Sequence, residues 1–184
     1  DFNLQRTLPH KFTQAGPGLS VGDINGDGLE DFIIGGSTGY SPYVYTQRSD
    51  GTFVGIKKQA RDENKKEEDE GLLLFDADGD GDSDLYVVSG SIESQDKEVF
   101  QDRLYLNSGK GNFSLSAGSL PETTASGSCV RAADFDGDGD LDLFVGGRII
   151  PGEYPLAADS YIFRNDSDKT SCKFTNVTEA LAPG

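Results

Sequence analysis

The chain has 184 residues, of which 35% are hydrophobic and 24 are Gly, and its formal net charge is −16. That hydrophobic content suits one domain with a modest core. The acidic surplus argues against nucleic acid as a partner, because binding phosphate needs clustered Lys and Arg. The lack of any apolar run of about 18 residues argues against membrane insertion. Short apolar runs separated by Gly favour an all-β fold.

The first 18 residues precede any repeated pattern. Residues 3–8 are predicted to form an outer strand of a preceding unit. His10, the only histidine in the sequence, lies in this segment between Pro9 and Lys11. We expect it to be a surface or packed residue and not a catalytic base.

Three later stretches repeat one pattern, and such repeats are the first feature to seek in a sequence. They read VGDINGDGLEDFIIGG from Val21, LFDADGDGDSDLYVVSG from Leu74 and ADFDGDGDLDLFVGG from Ala133. Each is followed by an aromatic strand and a hairpin turn, in residues 43–53, 104–113 and 161–174. One unit therefore predicts four short antiparallel strands, the size of one blade of a β-propeller.

These patterns divide the chain into five parts. They are an N-terminal segment (residues 1–18), repeat 1 (19–60), a polar connection (61–70), repeat 2 (71–120) and repeat 3 (121–184). The connection and the two residues before it contain no apolar residue beyond Ala60. We predict a solvated loop or a short polar helix there.

Each acidic loop places oxygen-bearing side chains at alternate positions. Numbered from the first aspartate, positions 1, 3, 5 and 9 hold Asp23, Asn25, Asp27 and Asp31 in loop 1, Asp76, Asp78, Asp80 and Asp84 in loop 2, and Asp134, Asp136, Asp138 and Asp142 in loop 3. Position 7 is Leu29, Asp82 or Asp140, whose backbone carbonyl is the expected ligand. Glycines at positions 4 and 6 let the backbone curl so that these groups point inward.

Calcium fits this ligand set best. It takes about six to eight oxygen ligands, whereas magnesium tends to keep its waters and zinc prefers His or Cys. Without a cation the clustered carboxylates would repel one another, so the three loops predict about three Ca²⁺ ions. A helical EF-hand is excluded, because position 12 is Ile34, Val87 or Val145 instead of a bidentate Glu and the flanks are β-like.

These motifs closely resemble the FG-GAP/VCBS repeat family, which includes the calcium-binding blades of integrin α-subunit propellers. The pattern as a whole is most similar to secreted or surface VCBS-repeat proteins of bacteria. The resemblance implies that each calcium loop joins the first two strands of a blade and that the residues above are the metal ligands. Three blades are fewer than the four to eight of closed propellers. We therefore expect part of a larger propeller, assembly with copies of this chain, or an exposed edge.

The function expected from this resemblance is binding or adhesion without catalysis, with calcium in a structural role. The partner would be a protein or a glycan, held by the connections opposite the calcium loops: residues 37–43, 91–101 and 148–159, with Tyr40, Tyr43 and Tyr154 as candidate contacts. Two alternatives stay open, a calcium-dependent polysaccharide lyase and a purely structural component of a surface assembly. The expected location is secreted, cell-surface or periplasmic, because extracellular modules bind calcium at about 10⁻⁴–10⁻³ M.

The two cysteines, Cys129 and Cys172, lack the spacing of metal ligands. The sequence leaves open one disulfide or two free thiols. If they lie on the first and fourth strands of one blade, three steps of about 4.8 Å separate them by roughly 14 Å. That distance exceeds the limit of about 7 Å between bridged Cα atoms.

Overall fold

The computed structural model describes residues 2–3, 5–13, 16–57, 61–94, 96–168 and 170–183. The strands in this part of the chain are β1 Leu19–Gly22, β2 Asp31–Ile34, β3 Tyr43–Gln47, β4 Phe53–Lys57, β5 Glu68–Phe75, β6 Asp84–Gly90, β7 Arg103–Asn107, β8 Phe113–Leu115, β9 Ser126–Ala133, β10 Asp142–Ile149, β11 Tyr161–Asn165 and β12 Phe174–Asn176. A 3₁₀ turn, Lys97–Phe100, and one short helix, α1 Thr178–Leu181, accompany them. None of the helices in these ranges is long and apolar enough to cross a membrane.

The strands form three four-stranded sheets, each connected in simple sequence order: β1 to β4, β5 to β8 and β9 to β12. All pairs are antiparallel, and the register repeats from sheet to sheet. Phe32 pairs with Tyr45 in the first sheet, and Leu85 pairs with Tyr105 in the second. The predicted all-β fold of three β-propeller blades is therefore confirmed, and the sheets are called blades 1, 2 and 3 below.

The core lies between the blades, because the residues of each second strand alternate between the two sides of its sheet. In blade 2, Leu85 and Val87 face blade 1, whereas Tyr86 and Val88 face blade 3. The interface of blades 1 and 2 buries Ile24, Ile33, Val44, Leu72, Leu85 and Val87. The interface of blades 2 and 3 buries Phe75, Ala77, Tyr86, Val88, Leu104, Val130, Leu143, Val145, Phe163 and Phe174.

The polar connection between repeats 1 and 2 departs from the prediction. Gln59 and Ala60 lie outside the described residues, but residues 68–70, expected in a solvated loop, begin strand β5. Asp69 is 2% exposed, and its carboxylate accepts from the Gly36 N–H at 2.7 Å and from Arg103 at 2.6 Å. The Lys65 ammonium lies 3.2 Å from the same carboxylate. The charges can be buried because they are paired with one another, and sequence polarity does not reveal such pairing.

The N-terminal segment also differs from the expected outer strand. Asp1 and Leu4 lie outside the described residues, and the described residues of 3–8 adopt turns instead of a strand. Leu8 is buried with Ile92 and Ile149 at the end of the blades opposite the acidic loops, and Phe12 packs beside them. Apolar burial against Ile92 and Ile149, not sheet pairing, holds the segment.

The structure decides between the disulfide and the two free thiols that the sequence left open. Cys129 lies on β9, the first strand of blade 3, and Cys172 lies two residues before β12, the fourth strand. Both thiols are free, as the separation of these strands requires.

Gly147, inside the second strand of blade 3, has a steric role that a substitution can test. A methyl group at Gly147 would overlap the backbone carbonyl oxygen of Asp159, whereas at Gly22 the nearest atom, Leu74 Cδ1, is 3.4 Å away. We expect Gly147→Ala to lower the free energy of unfolding by about 1–3 kcal/mol and Gly22→Ala to change it by less than about 0.5 kcal/mol. Urea denaturation measures both, and equal midpoints for the two variants would contradict this packing.

Candidate metal-binding loops

The three acidic loops occupy equivalent places in the fold. Residues 23–30 join β1 to β2, residues 76–83 join β5 to β6, and residues 134–141 join β9 to β10. Each loop therefore links the first two strands of its blade, as the resemblance implies.

The aspartate at position 1 organises each loop through its two carboxylate oxygens. In loop 2, Asp76 Oδ1 accepts from the Gly79 N–H at 2.8 Å and Oδ2 accepts from the Gly81 N–H at 3.0 Å. These glycines, at positions 4 and 6, have φ angles of 77° and 92°, a region that side chains disfavour. Asp23 and Asp134 bind the equivalent glycines in loops 1 and 3. The loop thus curls around its first residue.

Positions 3 and 5 continue the curl through short side-chain turns. In loop 1, Asn25 Oδ1 accepts from the Asp27 N–H at 3.0 Å, and Asp27 Oδ1 accepts from the Leu29 N–H at 2.9 Å. The same two bonds recur in loops 2 and 3. Alternate side chains are therefore held on one side of the backbone.

The aspartate at position 9 is buried and ties the loop to the sheet. Asp84 is 1% exposed; its Oδ2 accepts from the Ala77 N–H at 2.9 Å and its Oδ1 from the Asn107 N–H at 2.8 Å. Asp31 and Asp142 make the same pair of bonds in their blades. This residue therefore anchors loop, strand 2 and strand 3 together.

The arrangement brings carboxylates close enough to share one cation. One carboxylate oxygen from each of Asp76, Asp78 and Asp84 lies within 4.8 Å of the others, and Asp134, Asp136 and Asp138 form a second such group. In loop 1, position 3 is an amide, Asn25, so fewer charges meet there. The loops could each hold a divalent cation through oxygen ligands.

The carboxyl groups of loop 2 lie close to one another, and a bound cation would offset their mutual repulsion. Burial raises the pKa of the Asp84 carboxyl to about 6, although two backbone N–H donors oppose the shift, and the carboxylates of Asp78 and Asp80 raise it further. Burial and the Asp80 carboxylate likewise raise the pKa of Asp78. In loop 1, burial raises the pKa of Asp23 but four backbone N–H donors together hold it below its usual value.

Two residues of the loop surroundings were missed by sequence reasoning. Asn107 Nδ2 donates to the Ile24 carbonyl of the preceding blade at 2.8 Å, and Asn165 Nδ2 donates to the Ala77 carbonyl at 3.0 Å. Each asparagine ends the third strand of its blade and clamps it to position 2 of the neighbouring loop. Their common place in the repeat, just before the hairpin turn, was a signal that the sequence did contain.

The backbone carbonyls of the position-7 residues stay predicted ligands. Leu29, Asp82 and Asp140 use their N–H groups to close the turn at position 5.

The predicted partner-binding connections lie at the other end of the blades. Tyr40 is 44% exposed there, whereas Tyr43 sits in β3 with its ring stacked 4.8 Å from that of Tyr45. Tyr154 packs against the Leu8 cluster and accepts a hydrogen bond from Gln5 through its backbone carbonyl at 2.9 Å. The N-terminal segment thus covers part of the surface expected to bind a partner.

Blades of this kind, with an acidic loop between their first two strands, define a β-propeller-type repeat protein. A family model described as "FG-GAP-like repeat" matches residues 23–87 and 76–145, which together span more than half of the chain. The chain belongs to the FG-GAP-like repeat family. No curated protein matches the sequence at a significant level.

Proposed function

We propose that this chain is a calcium-binding β-propeller module that works outside cells by binding a protein or a glycan, with calcium in a structural role. The observation that carries the proposal is the convergence of three carboxylates within 4.8 Å in loops 2 and 3. Hard oxygen ligands without His or Cys favour calcium among the common cations. Calcium at the concentrations that such modules need is found outside cells.

Direct calcium binding tests this proposal. Flow dialysis should give about three bound ions, and Asp78→Ala should remove one of them, because Asp78 donates an oxygen to the loop 2 group. Asp159→Ala is the matched control, since Asp159 is an exposed aspartate far from the loops. Unchanged stoichiometry in Asp78→Ala, or binding of magnesium in equal measure, would count against calcium cages.

The ligand surface in this proposal is the end opposite the acidic loops, where Tyr40 offers an exposed aromatic ring. A screen of glycans and proteins with the wild type and Tyr40→Ala tests it. A ligand whose binding weakens in the variant supports the assignment. If no glycan or protein in the screen binds, the purely structural alternative is favoured.

The proposal assigns no catalysis. The only histidine, His10, stacks on Phe12 with ring centroids 4.5 Å apart, in the segment packed away from the acidic loops. A calcium-dependent release of unsaturated ends from acidic polysaccharides would support the lyase alternative instead.

A further inference from the structure

One asparagine of blade 2 contacts two acidic loops at once. Asn107, the last residue of β7, donates from Nδ2 to the Ile24 carbonyl of loop 1 at 2.8 Å and to the Ser83 carbonyl of loop 2 at 3.0 Å. Its backbone N–H donates to Asp84 Oδ1, at position 9 of loop 2, at 2.8 Å. This residue therefore bridges loop 1 and loop 2.

Asn165 of blade 3 repeats the bridge between loops 2 and 3. Its Nδ2 donates to the Ala77 carbonyl of loop 2 at 3.0 Å and to the Leu141 carbonyl of loop 3 at 3.3 Å. Its backbone N–H donates to Asp142 Oδ1 at 2.8 Å. Asn107 and Asn165 are 7% and 4% exposed. A carbonyl that lost this donor would stay buried without a partner, which is costly.

The carbonyl that accepts from the bridging amide belongs to a residue between two predicted metal ligands. In loop 1, Ile24 at position 2 stands between Asp23 and Asn25. The Ile24 N–H donates to Asp31 Oδ2 at 3.2 Å. Its own blade thus holds one side of this residue, and blade 2 holds the other side through Asn107. Both contacts fix the backbone from which the ligands at positions 1 and 3 project.

The order of loop 2 in turn decides where the Asn107 amide points. Ser83 and Asp84 hold the side chain and the backbone of Asn107, and Asp84 is itself a predicted ligand of loop 2. Without a cation, repulsion between the carboxylates of this loop disfavours the arrangement that the bridge needs. When a cation orders loop 2, Asn107 is fixed and fixes Ile24 in turn. Loop 1 then has less freedom to lose when it binds its own cation.

We propose that these two asparagines make calcium binding cooperative between adjacent loops, Asn107 for loops 1 and 2 and Asn165 for loops 2 and 3. The inference rests on the calcium binding proposed above, and the asparagines act as positioning residues. Coupling of this kind is reciprocal, so each loop of a pair tightens binding in the other by the same factor. Loop 2 belongs to both pairs, so its occupancy acts directly on the other two loops.

Heteronuclear NMR of the full chain during a calcium titration tests the coupling loop by loop. The N–H groups of Gly28 and Gly81 donate to Asp23 and Asp76, the first aspartates of loops 1 and 2, so their signals report each loop separately. Asp78→Ala disables loop 2. In this variant the calcium concentration at the midpoint of the Gly28 titration should rise about fivefold above the wild type, the low end of typical coupling between sites.

A double-mutant cycle assigns the coupling to the Asn107 side chain. Asn107→Ala removes the bridging amide but keeps the backbone N–H that binds Asp84. In this background, Asp78→Ala should leave the Gly28 midpoint unchanged. Asn165→Ala is the matched control, because it removes the equivalent contacts between blades 2 and 3. There Asp78→Ala should still raise the Gly28 midpoint about fivefold, a difference that loss of stability alone would not produce.

Loops 2 and 3 provide an independent test with the roles of the asparagines exchanged. Asp136→Ala, which disables loop 3, should raise the midpoint of the Gly81 signal. Asn165→Ala should abolish this rise, whereas Asn107→Ala should not. Urea denaturation in calcium shows that each variant is folded, and if one asparagine variant fails to fold, the other pair of loops decides the question.

Failure of the coupling is distinct from failure of calcium binding. If neither Gly28 nor Gly81 responds to calcium, the proposed function is wrong and the coupling falls with it. If both respond but the Gly28 midpoint is the same in the wild type and in Asp78→Ala, the loops bind independently. A rise that persists in the Asn107→Ala background would likewise overturn the role of Asn107, while calcium binding itself would stand.

Discussion

Chelation of calcium with EDTA is expected to lower the melting temperature of the protein by roughly 20 °C. A site filled at 100 times its dissociation constant adds about 2.7 kcal/mol, so three sites add roughly 8 kcal/mol. In a chain of this size each kcal/mol shifts the melting temperature by about 2–4 °C. The physical reason is the close approach of Asp76, Asp78 and Asp84, whose mutual repulsion a cation removes.

Differential scanning calorimetry with and without EDTA makes this measurement, and excess calcium added back should restore the original curve. Asp78→Ala should show a smaller loss on chelation than the wild type, because one of its sites is already disabled. A melting curve that EDTA leaves unchanged would argue that the loops fold without a metal.

Stability is also expected to depend on the protonation of Asp102, a buried aspartate at the far end of blade 2 from loop 2. Its carboxylate accepts from the Tyr86 hydroxyl at 2.8 Å and from the Ser89 N–H at 2.8 Å. Burial raises the pKa of this carboxyl to about 7, against both hydrogen bonds and the nearby Arg103. The folded protein therefore holds this proton more tightly than the unfolded chain does.

The sign of the pH effect follows from that raised pKa. The stabilisation is fully present below pH ~4, the ordinary pKa of Asp, and is lost as the pH rises through about 7. Asp102→Asn cannot titrate. Between pH 4 and 7 the wild type should therefore lose on the order of 4 kcal/mol of unfolding free energy relative to this variant.

Urea denaturation at a series of pH values, in constant calcium, measures this difference. Comparison with the variant removes the contribution of the loop carboxylates, which titrate in both proteins. In Asp159→Asn, a change at an exposed aspartate, the free energy of unfolding should vary with pH as it does in the wild type. If the free energy of unfolding of Asp102→Asn also varies with pH as in the wild type, the pH dependence does not come from Asp102.

The repeat was readable from the sequence because its parts are local. Turn glycines, alternating aspartates and the apolar run after them lie within about 16 consecutive residues, so their spacing predicts both the loop and the blade. Gly79 and Gly81 illustrate this, since their positive φ angles follow from residue type at a fixed place in the loop.

The buried charges could not be predicted in the same way. Lys65 and Asp69 stand in a run of polar residues that reads as solvated, and Arg103, which completes the network, is 34 residues beyond Asp69. Asp69 and Arg103 lie on β5 and β7 of the same sheet, and only the folded blade 2 brings them together, so burial there depends on pairing between residues far apart in the chain. The turns of residues 3–8 were missed for the same reason, because the apolar surface that receives Leu8 comes from Ile92 and Ile149, which are far from it in the chain.

By itself the sequence determined the all-β class, the three-blade repeat and the side chains that line each acidic loop, because each depends on short-range spacing and backbone conformation. The tertiary structure alone decided which charges are buried and how Asn107 and Asn165 clamp one blade to the next. Those features depend on contacts between residues that are far apart in the chain. The spacing of residues within one repeat does not predict which of them meet in the folded structure.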